Sequence, residues 1–75
     1  MPEIPRITGA EAVRAFERAG FVVVRISSSH YILKKSGWPN RLSIPVHVKK
    51  ILGKGLLKSQ IEAAGLTVAE FVTLL

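Results

Sequence analysis

Seventy-five residues leave room for one domain at most and one thin core; a chain this short buries only about 60% of the surface its unfolded form exposes. Cysteine and aspartate are absent, and two histidines and five scattered glutamates remain, which excludes a disulfide framework, a thiolate nucleophile and a Ser/His/Asp set and argues against any metal site or cofactor. Eleven Lys and Arg against five Glu give a net charge of +6, and no apolar run is long enough for a membrane span or signal peptide; the expectation is a reduced, cytoplasmic, soluble domain.

The first predicted element is a helix over 9–19. Thr8 and Glu11 have capping-box spacing, Ala12, Val13, Phe16 and Ala19 recur at helical intervals, and Gly20 stands where a left-handed residue ends a helix. Pro2 and Pro5 mark an extended lead-in. Phe21 to Ile26 holds four β-branched residues in six and reads as a strand. Ser27, Ser28 and Ser29 form a turn. His30 to Lys35 is a second strand, and the loop from Ser36 to Asn40 carries the turn formers Gly37, Pro39 and Asn40. Arg41 to His47 alternates plainly, with Leu42, Ile44 and Val46 on one side and Arg41, Ser43, Pro45 and His47 on the other.

Gly53 to Gly55 leads into a second helix with the stripe Leu57, Ile61 and Ala64, ended by Gly65. Thr67 and Glu70 repeat the capping-box spacing before a short helix with Phe71, Leu74 and Leu75. The order α-β-β-β-α-α predicts an α+β fold: a three-stranded antiparallel meander with helices on one face and the other face open.

Charge is unevenly distributed. Nine basic residues and no acidic one lie between Arg18 and Ile61, while the rest of the chain holds two basic residues against five acidic. That middle of +9 suits a polyanion, most often nucleic acid, although solubility alone also explains a basic chain.

A register argument places the histidines. If Ser36 faces Arg41, then Tyr31 faces Val46 and His30 faces His47. Tyr31, Leu33, Leu42, Ile44 and Val46 then share an apolar face, with His30, Lys34, Arg41 and His47 on the other. A one-residue slip would mix the faces. Pro45 cannot donate a ladder hydrogen bond, so it takes a non-hydrogen-bonded position or a free edge.

RNA carries its own nucleophile, the 2′-OH. Cleavage needs a base for that hydroxyl, an acid for the 5′-oxygen and cations for the phosphorane. Histidine suits both proton roles near neutral pH. His30, with His47 as a second proton carrier, is therefore the catalytic candidate; the plain alternative for each is a surface residue at a strand end. Lys34, Lys35, Arg41, Lys49, Lys50 and Lys54 are candidates for phosphate. Trp38 suits base stacking or plugging the edge of the core. Ser27 to Ser29 suit phosphate donation or a solvated turn. Lys49, Lys50 and Lys54 ahead of a helix suit an anion site or a solvated loop.

Taken together, the stretch from Thr8 to Leu75 resembles the HicA (YcfA-like) family of toxin endoribonucleases. Gly9 to Gly20-Phe21-Val22 looks like the family's first helix and its G-F strand start. Ser29-His30 falls at the G-S-H motif, Ile44-Pro45-Val46-His47 resembles V-P-x-H, and Lys54-Gly55-Leu56-Leu57-Lys58-Ser59-Gln60-Ile61 resembles K-G-T-L-x-x-I. Ala64-Gly65-Leu66-Thr67 with Glu70-Phe71 resembles the family's A-G-[LIV]-[ST]…E-F ending.

The resemblance implies a fold like the double-stranded-RNA-binding domain. It also implies metal-independent mRNA cleavage with His30 catalytic and Ser29 beside it. The implied partner is a HicB antitoxin that covers the site and, as a complex, represses the operon; contact with DNA would be through the antitoxin only. Two departures stand out. Ser28 replaces the motif's glycine, in a turn that favours φ > 0, and Leu56 replaces a common threonine. Two other readings are an RNA-binding module without cleavage and a protein-binding inhibitor or adaptor; the +9 middle disfavours the last, though an acidic antitoxin would also match it.

Overall fold

Local capping sets the helix boundaries. In the computed structural model, which describes residues 3–75, α1 spans Gly9–Arg18. The Thr8 hydroxyl accepts the Glu11 amide at 3.3 Å, and the Glu11 carboxylate accepts the Thr8 amide at 3.0 Å. Gly20 takes φ +104° just past the C-cap Ala19, a conformation that favours glycine. Pro2 lies outside the described residues; residues 3–7 run without helix or strand.

The three strands are β1 (Val22–Ser27), β2 (His30–Lys34) and β3 (Leu42–Pro45), antiparallel and in the order β1-β2-β3. They are followed by α2 (Lys54–Ala63) and α3 (Val68–Val72). Thr67 and Glu70 close α3 with the second capping box. The element order and the α+β class are those the sequence predicts, with an open three-stranded sheet.

One sheet face is filled. Leu33, Leu42 and Ile44 are completely buried and share a core with Ala12, Val13 and Phe16 of α1, Leu57 and Ile61 of α2, and Phe71 of α3. Phe16 is the centre: its ring lies edge-on to Phe21 at 6.1 Å and tilted against Phe71 at 4.9 Å. Burying one such ring contributes about 1.5–3 kcal/mol. α1 meets β3 backbone to backbone at Gly9, where a Cβ would overlap the Pro45 carbonyl oxygen and sit 3.0 Å from the Val46 Cα.

The β2–β3 register corrects the expectation. His30 pairs with Pro45, Tyr31 with Ile44, Ile32 with Ser43 and Leu33 with Leu42. This is two residues away from the pairing that would have set His30 against His47. The loop is the cause. A turn closes early, with the Trp38 amide donating to the Lys35 carbonyl at 3.0 Å and Gly37 at φ +77°. Beyond it the Trp38 indole and the Asn40 amide both donate to the Ala63 carbonyl, at 2.8 and 3.0 Å, so the loop is drawn onto the end of α2 before β3 begins.

Two residues is one full pleat, so both registers keep the same residues on the same face. The apolar pattern could not separate them. Pro45 does take a position free of ladder bonds. The Val46 amide donates to the Ser29 carbonyl at 2.7 Å, which makes the neighbouring His30–Pro45 pair the non-hydrogen-bonded one. On the outer edge of β3, the Ser43 amide donates to the Gln60 side chain at 3.0 Å.

β1 carries a bulge. Val22 pairs with Lys34 and Val23 with Leu33, but Arg25, not Val24, pairs with Ile32, followed by Ile26 with Tyr31 and Ser27 with His30. Val24 is the extra residue. Unbroken alternation would put Arg25 and Ser27 on the helix side with Val23. The bulge moves both to the open face.

Candidate nucleic-acid interface

The open face is ordered in rows. At the turn end stand Ser27, His30 and Pro45; the next row holds Arg25, Ile32 and Ser43. Continuing the register by one step sets Lys34 opposite Arg41. These rows enclose a shallow cleft lined by Val24, Arg25, Ser27, Ser28, His30, Ile32, Lys34 and Arg41. Four of those eight side chains are cationic or imidazole and none is acidic. The cleft therefore offers a positive field next to an imidazole, on a surface that no helix covers.

His30 is exposed and begins β2 immediately after the Ser28-Ser29 turn. Ser28 has φ +58°, while Ser29 is not in the positive region. That is the φ pattern of a type II′ turn, which prefers glycine at its first central residue. The sequence departure at Ser28 thus falls on a position whose conformation costs a non-glycine residue about 1–2 kcal/mol. The turn keeps its shape and delivers His30 to the cleft all the same.

His47 does not join it. It lies past the end of β3, exposed, and starts a turn in which the Lys50 amide donates to its carbonyl at 3.1 Å. It lines a separate, smaller depression with Pro45, Lys50, Ile51, Leu52, Gly53 and Leu56. Pro45, the cross-strand neighbour of His30, borders that second depression, so the histidines occupy the same end of the fold without sharing a cleft. Leu56, the other departure, is also there, at the start of α2.

The remaining candidates scatter. Lys34 and Arg41 line the cleft with His30. Ser29 is half-buried in the turn. Lys35 sits on the helix side, with its Nζ 5.6 Å from the centre of the Phe21 ring. Trp38 is fixed to the Ala63 carbonyl, and its ring covers Gly65; these are the contacts of a plug at the core's edge. Lys49, exposed, adopts φ +58° in the turn after His47. Lys50 lines the second depression, and Lys54 opens α2, whose N-cap Gly53 provides no side-chain cap.

Among the charged residues of the cleft, Arg25 is the one that sequence reading missed. Period-two alternation hides it, because only the bulge turns it outward, and the run Val22-Val23-Val24 carries no glycine or proline to mark one.

The cleft residues and the fold that presents them fall almost entirely inside a stretch with known counterparts. Residues 9–66 match the family model described as HicA toxin of bacterial toxin-antitoxin. No curated protein matches the chain. The match takes in α1, all three strands, α2 and the turn that follows it. The chain belongs to the HicA toxin family of bacterial toxin–antitoxin systems.

Proposed function

We propose that this toxin is an endoribonuclease that cleaves mRNA at the open sheet face. His30 acts as general base or acid in attack of the ribose 2′-OH on its own 3′-phosphate. The new bond is 2′-O to phosphorus and the broken bond is phosphorus to the 5′-oxygen, giving a 2′,3′-cyclic phosphate and a 5′-hydroxyl. Lys34 and Arg41, two rows along the sheet from His30, bind the RNA backbone beyond the scissile phosphate and hold the strand in the cleft. Cleavage of this kind needs no deep pocket, because the substrate brings its nucleophile, and the chain's own residues supply a proton carrier and cations. The toxin acts in the cytoplasm, where mRNA is; its described residues include no helix long and apolar enough to cross a membrane. A HicB-like antitoxin with an acidic surface covers the same face and ends the activity, and any contact with DNA runs through that antitoxin.

The observation that carries this reading is the position of His30 in a cleft with three cations and no carboxylate. Induced expression tests it. The parent chain is expected to arrest growth and deplete total mRNA, and His30→Ala to do neither. Equal, harmless behaviour of both would overturn it. The alternative is an RNA-binding module without cleavage. One observation favours it: His47 stays out of the cleft, so His30 is the lone imidazole there. Purified protein that shifts RNA in a gel and leaves it intact would establish that alternative.

A further inference from the structure

The bulge at Val24 has a chemical consequence. It places a guanidinium on the open face, one row from His30 and one strand across. Rows along a strand repeat every two residues, about 6.7 Å, and neighbouring strands lie about 4.8 Å apart. Arg25 therefore stands diagonally beside the catalytic row, and Lys34 and Arg41 stand one row further from His30. Between the charged positions the floor is apolar, formed by Ile32 and by Val24, which is itself 53% exposed.

We propose that Arg25 is the phosphate-positioning residue of the cleft. This rests on the RNA reading above. The ligand is single-stranded RNA laid along β2, with the scissile phosphate at His30. Arg25 holds the adjacent phosphate, and Lys34 with Arg41 holds the one after it. Ile32 and Val24 receive the ribose and base faces between them. A guanidinium fits this role better than an ammonium, since its planar fork binds two phosphate oxygens at once and fixes their orientation. No carboxylate lines the cleft to claim it first. The residue acts on the register of the RNA over His30, not on the reacting atoms.

The test compares Arg25→Ala, Arg25→Lys and, for an equal loss of charge, Arg14→Ala on the exposed side of α1. Binding to a labelled 2′-O-methyl oligonucleotide, which lacks the nucleophile, is followed by anisotropy over a potassium chloride series; cleavage is followed on the matching RNA. Arg25→Ala is expected to flatten the slope of log affinity against log salt by about 0.7, the value for one phosphate contact on a single strand. It is also expected to lower kcat/KM about tenfold, in line with the loss of one charge-assisted contact. Arg25→Lys should restore the slope and only part of the rate, and Arg14→Ala should match the parent in both.

A slope for Arg25→Ala equal to that of Arg14→Ala overturns the assignment, whatever the rate. If no form cleaves RNA but Arg25→Ala still flattens the slope, the cleavage reading fails and the Arg25 contact stands. If cleavage persists and the slope is unmoved, the reverse holds.

Discussion

The indole nitrogen of Trp38 donates to the carbonyl of Ala63 at 2.8 Å, across twenty-five positions of sequence. This bond ties the β2–β3 loop to the end of α2, and with the Asn40 bond to the same carbonyl it sets where β3 begins. Trp38→Phe removes one donor, while Asn40 still satisfies the carbonyl, and it withdraws the outer indole carbons from Gly65 but keeps an aromatic ring at the core edge. The expected loss is about 1 kcal/mol in urea unfolding. Trp38→Ala also uncovers the core edge and should cost about 2 kcal/mol, less than a fully buried aromatic. The RNA affinity of the folded Trp38→Ala protein should equal that of the parent. A tenfold fall would instead mean that the ring stacks on a base.

Gly9 is helical, and alanine is ordinarily the better helix former by about 1 kcal/mol. Here the Cβ would meet the Pro45 carbonyl oxygen and the Val46 Cα, both backbone. Overpacking against backbone outweighs propensity, so Gly9→Ala is expected to destabilise by about 2 kcal/mol. Equilibrium denaturation decides it: an unchanged or raised midpoint would mean that α1 can slide away from β3.

Ser28→Gly should act in the other direction. Relief of the left-handed conformation is worth about 1–2 kcal/mol, and the greater entropy of glycine in the unfolded chain takes back about 0.5–1 kcal/mol. The net expectation is a gain of about 0.5–1 kcal/mol, with the m-value unchanged. RNA cleavage by Ser28→Gly should be at least as fast as by the parent, because the turn that presents His30 becomes less strained.

Glu11 gives an acid-side prediction. Its carboxyl is held below the usual value of 4.5, chiefly by the Thr8 amide hydrogen bond, then by the Thr8 hydroxyl, with the Arg14 charge adding to the effect. The unfolded state therefore binds its proton first as pH falls. The contribution is complete above the unfolded value and is lost as pH drops through the lower folded one. Glu11→Gln cannot titrate, and its melting temperature should fall less steeply than the parent's below about pH 5. Parallel curves would show that the cap does not depend on the charge.

What was legible in the sequence was local or periodic. Thr8 with Glu11 and Thr67 with Glu70 close their helices by contacts three residues apart, so their spacing alone located them. Leu33, Leu42 and Ile44 face the core because alternation decides the face. The histidine pairing failed on a different kind of information. A two-residue shift leaves alternation intact, and the real register depends on Trp38 and Asn40 reaching Ala63, a long-range event with no local signature. Arg25 was hidden for a related reason: the extra residue at Val24 reverses the alternation in a run of identical valines.

That extra residue divides β1 into two parts under separate constraints. Val23, ahead of it, packs against the core, while Arg25 and Ser27, after it, line the cleft, and Ile26, on the helix side, is left 57% exposed. The far half of the strand is thus released from the volume limits that govern the near half. Substitutions at the cleft positions of that half can therefore leave the interior undisturbed, so the surface chemistry and the packing of the fold are set independently within a single six-residue strand.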